Sequence, residues 1–361
     1  MSHTFKTSLI STTATGLLLA MGLAYAPAVS AQDACTDGAL ADSLQCGDGA
    51  IASGSFGATA VGDNSTASGD ESTAIGEDSS AAGNQSTAVG EEANASMADA
   101  TAIGNSADAT AVDATAIGAD SAASAAQSTA LGADSVADFI DSTAIGHSAD
   151  VGGVGAVALG ADASANAESA TALGTDSRAT SLNATAIGHE AQATNTNATA
   201  IGAGTSNITA ARATAANTIA IGGGDAATAG ALANQTGAIA IGTESVASGN
   251  LALAVGNGSD ATAGLAVAIG PDSNAAGIQS SAVGNSSNAM ASGASAFGSF
   301  ASATEANATA IGVSANANAE GAIAIGSGSV TAQSNDIVIG TNAASNNTCL
   351  LYTSPSPRDR G

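Results

Sequence analysis

Large apolar residues recur along this chain at one fixed step. Val61, Ile75, Val89, Ile103, Ile117, Leu131, Ile145, Leu159, Leu173, Ile187 and Ile201 stand fourteen residues apart. Ile221 and Ile241 follow at steps of twenty, and the shorter step resumes through Val255, Ile269, Val283, Phe297, Ile311, Ile325 and Ile339. Each is followed by glycine, as at Gly62, Gly76, Gly90, Gly104 and Gly118, and each is preceded by alanine except at Val338. Two places before the large residue stands Thr in most copies (Thr59, Thr73, Thr101, Thr185, Thr309). Others carry Val157, Ile219, Ile239, Leu253, Val267, Ile323 or Ile337. The phrase Ser72-Thr73-Ala74-Ile75-Gly76 therefore alternates with period two. It predicts a short strand with Thr and Ile on one face and Ser and Ala on the other.

A weaker phrase lies between the copies. Three and five residues after each marker glycine come small side chains, as at Ser65 and Ala67, Ser121 and Ala123, Ala163 and Ala165, and Ser245 and Ala247. The residues between and after them vary and are often polar (Asn94, Asp108, Asp138, Arg178), which predicts a second, half-exposed strand. Acidic pairs such as Glu77-Asp78 and Glu91-Glu92 follow the glycines and mark corners. One repeat thus holds two strands and two corners. A repeat that cannot bury its own apolar face must stack on its neighbours. The predicted fold is all-β, a parallel β-roll solenoid of about twenty coils, roughly 90–100 Å long at the inter-strand spacing. Helix is excluded by the frequency of Thr, Gly and β-branched residues.

The strand that carries Thr73 and Ile75 has two faces of low polarity. One suits the interior of the coil, the other a neighbouring chain. We assign the large residues, Val61 through Ile339, to the interior as the structural core, and alanines such as Ala74 to close approach from outside. The alternation alone allows the reverse.

Composition narrows the classes. Aromatic residues are 2% and Trp is absent, which excludes a globular core of ordinary side chains. Strict periodicity and a hydrophobic fraction of 45% exclude disorder. The net charge is -26, and only Arg178 and Arg212 are basic within the repeats. That charge excludes nucleic acid as a partner. The acidic corners are expected to keep an alanine-rich surface soluble. Gly222-Gly223-Gly224-Asp225 is only a fragment of a calcium-binding repeat and lacks the Lys-Ser/Thr of a phosphate loop. His147 and His189 each follow a marker glycine without partners suited to catalysis or metal binding. No enzyme, metal site or cofactor is expected. The two twenty-residue coils, with their extra residues in 203–217 and 223–237, are expected to bulge as loops, and Arg212 marks the first as a candidate binding loop.

The ends differ from the repeats. Residues 1–31 read as a secretory signal peptide, with Lys6, the apolar run Leu17–Ala24 and a small-residue cleavage site at Val29-Ser30-Ala31. Residues 32–49 carry Cys35 and Cys46. In an exported protein these are most simply a disulfide, with intermolecular bridging or free thiols as alternatives. The repeats span 50–345. Residues 346–361 break from this composition, and the run from Cys349 onward is expected to be an artefactual tail on a truncated frame.

The [Ser/Ala]-Thr-Ala-Ile-Gly phrase alternating with Ser-x-Ala-x-Gly resembles the head repeats of YadA-like trimeric autotransporter adhesins. The resemblance covers about residues 50–345. It implies a left-handed parallel β-roll, a homotrimer of three such rolls, and a head borne on a coiled-coil stalk with an outer-membrane barrel anchor. Such a head attaches to host or bacterial surfaces or to extracellular matrix by multivalent contacts. It implies a secreted protein at the outer surface of a Gram-negative-type bacterium. The stalk and anchor are not in this sequence, so membrane anchorage would come only through a missing C-terminal region. Two other readings remain: an ice-binding solenoid, suggested by the Thr73–Thr143 ladder, and a passive structural filament. The exchange of Thr for Ile, Val and Leu along the ladder argues against an exposed ice-binding face.

Overall fold

Three-residue strands, from Leu44–Cys46 and Thr59–Val61 through Ile337–Ile339, stack into one parallel ladder, here sheet A. Two-residue strands, from Ile51–Ala52 through Val330–Thr331, stack into a second, sheet B. This is a computed structural model, and it describes residues 35–37 and 42–345. The predicted leader and the tail from residue 346 lie outside the described residues. Every residue faces its own equivalent one coil on: Thr73 pairs with Thr87, Ala74 with Ala88 and Ile75 with Val89. Equivalent side chains therefore form columns along the rod. The architecture is an all-β parallel solenoid of about 21 coils.

The register records each irregularity. The offset is fifteen at the first coil, where Leu44 pairs with Thr59. It is twenty where Thr199 pairs with Ile219 and Ile219 with Ile239. The solenoid begins before residue 50, at the degenerate copy Leu44-Gln45-Cys46-Gly47. Ahead of it, Thr36–Asp37 pairs antiparallel with Leu44 and Gln45 and covers the open edge of sheet A. Cys35 and Cys46 form a disulfide that ties this covering strand to the first coil.

The interior reverses our assignment of faces. Ala74 and Ala81 are fully buried, as are Ser72 and Ser79, whereas Ile75 is 39% exposed. None of the twenty residues assigned to the core, Val61, Ile75, Val89, Ile103, Ile117, Leu131, Ile145, Leu159, Leu173, Ile187, Ile201, Ile221, Ile241, Val255, Ile269, Val283, Phe297, Ile311, Ile325 and Ile339, is buried within the chain. All point outward. The reason is the length of the corners. Only Glu77 and Asp78 separate Gly76 from Ser79, so the two sheets lie close together and the interior is filled almost entirely by Ala and Ser, with Val151, Thr218 and Thr331 the largest fully buried side chains. Most inward serines satisfy their hydroxyl on the carbonyl three residues back, although those of Ser142, Ser273 and Ser280 have no partner among the described residues. Ser72 Oγ donates to the Gly69 carbonyl at 2.7 Å and Ser79 Oγ to that of Gly76 at 2.8 Å.

The marker glycine is required twice over. Gly76 has φ 135° and Asp78, two places on, φ 55°, which closes a four-residue turn with Ser79 N donating to Gly76 O. A Cβ on Gly76 would also lie 2.3 Å from the Gly90 carbonyl oxygen of the next coil.

Candidate functional site

Because columns follow the register, each surface of the rod is a list of equivalent positions. The outward face of sheet A carries two columns. One is the large apolar series from Val61 to Ile339. The other is the Thr59–Thr143 ladder, which becomes mainly aliphatic from Ile219 to Val267 and again at Ile323 and Ile337. The larger members are substantially solvent-exposed, Leu131 at 40% and Phe297 at 41%. Two columns about 7 Å apart over about 100 Å amount to roughly 700 Å² of mainly apolar or β-branched surface. Patches on monomeric proteins rarely exceed a few hundred Å². The Thr ladder is outward too, so the exchange of Thr for aliphatic residues does not mark a buried face. It marks one that accepts either.

The other surfaces are more polar. Sheet B presents a variable outward column including Asn94, Asp108, Arg178 and Gln192. The corner after each marker glycine is mostly acidic and amide, with Asp78, Glu92, Asp120 and Asp134 in the left-handed region. Asp and Asn tolerate that conformation better than most residues. The opposite corner, between sheet B and sheet A, adds exposed Val112, Ile140, Val154, Leu182 and Ile278. Sequence reading missed these. They recur eight residues after a marker glycine, a signal hidden because the same column also holds Ala126, Glu168 and Thr196.

The inserted loops are narrower than the sequence suggested. Gln192 pairs with Arg212 and Arg212 with Leu232, so the six extra residues lie within 203–210 and 223–230. Arg212 is therefore in a strand of sheet B and not in the loop, which corrects its assignment. The two loops stack: Gly224 N donates to Thr209 O at 2.7 Å and Gly230 N to Ile208 O at 3.3 Å. In the second, Asp225 Oδ1 accepts from Ala227 N at 2.9 Å and from Thr228 N and Oγ1 at 3.0 Å. These bonds, the Ala227 amide foremost, hold the Asp225 carboxyl below its ordinary value. Asp225 thus organises its own loop. On sheet B, burial pushes the Asp260 carboxyl upward.

The histidines sit at exposed corners, each beside an aspartate of the preceding coil. His147 Nε2 lies 3.5 Å from Asp134 and His189 Nε2 3.9 Å from Asp176. His189 Nδ1 also contacts the Gly204 carbonyl at the base of the first loop. Among the described residues no group of His, Cys, Asp or Glu has the arrangement of a metal site, and no helix is long and apolar enough to cross a membrane. What the chain offers is a long column-built surface.

Comparison with known proteins agrees with that geometry. No curated protein matches the chain. The profile described as the YadA head domain repeat (2 copies) matches it twelve times, covering 55–121, 123–149, 152–177, 179–205, 233–259, 261–287 and 291–343. The unmatched stretch 206–232 holds most of the first inserted loop and the whole of the second. A match over well over half of the chain, in phase with the structural coils, fixes the family: this chain belongs to the YadA head domain repeat family.

Proposed function

We propose that this chain is the head of a trimeric autotransporter adhesin, non-catalytic, exported to the surface of a Gram-negative-type bacterium. Three copies pack through the outward faces of sheet A. The observation that carries this is the apolar column itself. A continuous apolar face repeated over twenty rungs is favourable only when covered, and burying it stabilises association at roughly 25 cal/mol per Å² before the cost of association. Three-fold packing leaves sheet B and the acidic corners outward. Attachment to cells, matrix or other bacteria then arises from many weak contacts repeated along three chains, which avidity makes strong.

The oligomer is tested by light scattering on the purified chain. Wild type should run as a trimer, and Leu159→Asp with Leu173→Asp should release folded monomers. A wild-type monomer at high concentration would refute the packing. Adhesion is tested by displaying the chain on non-adherent bacteria and counting attachment to cultured cells and matrix-coated surfaces. Absence of attachment to all of them would favour a passive filament. The outward Thr59–Thr143 ladder keeps one second reading, ice binding, and thermal hysteresis by the folded monomer would support it.

A further inference from the structure

Sheet B carries one electrostatic exception. Arg178 and Arg212, the only basic residues among the repeats apart from histidine, stand in the same outward column, one rung either side of Gln192. Two rungs place them about 10 Å apart along the rod. Neither guanidinium is in an ion pair among the described residues, and Arg212 Nε is buried without an acceptor. Beside them, Thr180, Thr194 and Thr214 form a parallel row of hydroxyls. One coil further, Asn234 Oδ1 is likewise buried without a partner. From Ser164 to Ser248 this face carries no carboxylate. The nearest in the arginine column, Asp150 and Asp260, are two and three rungs from the arginines, about 10 and 14 Å. Both distances exceed the Debye length of about 8 Å at physiological salt. Of the acidic groups on the adjoining corner, Asp176 is beside His189.

We infer that this Arg178–Gln192–Arg212 row is a binding site for a linear acidic polysaccharide lying along the rod. Two in-line cations match acidic groups spaced along an extended chain, and the flanking hydroxyls and amides match sugar hydroxyls. An acidic polypeptide fits less well. Sheet B's backbone groups are consumed by its own ladder, so no strand can be added there. Nucleic acid is disfavoured by its charge density against a chain of net charge -26. The site rests on the preceding reading in one respect, that sheet A and not sheet B is covered by other copies.

The experiment measures binding of the full chain to heparin, hyaluronan, poly-L-glutamate and neutral dextran at low and high salt. Heparin and hyaluronan should bind, more weakly as salt rises, and dextran should not. Arg178→Gln and Arg212→Gln should each weaken binding about tenfold, the double variant should abolish it, and Arg→Lys should restore part of it. Both residues stand in the outward column of sheet B, outside the packed interior, so circular dichroism and trimer mass should be unchanged. Undiminished binding by the double variant, no polysaccharide binding by wild type, or equal binding to poly-L-glutamate would each overturn the inference. Attachment of the displayed chain to cells is scored separately. A double variant that loses polysaccharide but still attaches leaves the adhesin reading intact.

Discussion

Exchanging the two residues at one rung, Ala158 and Leu159, tests which face of sheet A is the interior. Ala158 is fully buried, between Ala144 and Ala172 of the adjoining rungs, while Leu159 is 39% exposed. Ala158→Leu forces three extra carbons into an interior whose fully buried side chains are nowhere larger than Val or Thr. Overpacking of this kind costs about 1–3 kcal/mol and sometimes more, and the close spacing of the sheets places this site at the upper end. Leu159→Ala removes a side chain about three-fifths buried within its own chain, a loss of about 1–2 kcal/mol. It also removes part of the face that meets other copies. The two effects separate by concentration. The Ala158→Leu loss lies within the chain and should not change on dilution, whereas the Leu159→Ala loss should include a part that vanishes when the oligomer dissociates. Thermal melts across a dilution series read this, with about 2–4 °C expected per kcal/mol for a domain of 150–250 residues. Hydrogen exchange over residues 143–173 localises it, since solenoid coils couple mainly to their neighbours. If Ala158→Leu melts with wild type at every concentration while Leu159→Ala loses several degrees independent of concentration, the interior assignment is wrong.

Other outcomes follow from single sites. Gly160→Ala should lower stability by about 3 kcal/mol or more, combining a backbone at φ 137° with a Cβ 2.6 Å from the Gly174 backbone. Gly155→Asn should stay within about 0.5 kcal/mol, because φ 62° suits Asn and nothing lies within 4 Å; matching denaturation midpoints for the two variants would contradict the argument. The stabilisation from Asp225, whose folded value lies below 3.8, should be complete above that pH and be lost as pH falls through the folded value. Hydrogen exchange of residues 223–230 should rise on acidification in wild type and already be raised at neutral pH in Asp225→Ala. Asp260 has the opposite sign: its folded value is raised, so its stabilising protonated form is lost as pH rises from 3.8 through that value. Asp260→Asn should therefore raise the denaturation midpoint at neutral pH and leave it nearly unchanged in acid. Reduction of Cys35–Cys46 should increase exchange at Leu44–Cys46 and leave coils beyond residue 100 unaffected, since the disulfide ties down only the covering strand.

The period, the two strands per coil, the corner positions and the parallel stacking were all legible from the residue pattern. Each follows from local chemistry repeated many times: alternation of period two at Thr73-Ala74-Ile75, and a glycine at Gly76 that only one backbone geometry explains. Repetition also made the surface columns legible, because a fixed register turns positions in the chain into lines along the rod. Which side of those lines is inside emerged only from how the coils pack. Side-chain size pointed to Ile75 and its equivalents, yet interior volume is set by how near the sheets lie, and that is fixed by two-residue corners such as Glu77-Asp78. The chain therefore buries Ala74 and Ser72 and presents Ile75 outward. The same register moved Arg212 from a loop into sheet B beside Arg178, thirty-four residues away in sequence and two rungs away in space. Alternation fixes that neighbouring residues face opposite ways; only the distance between the two sheets says which way is in.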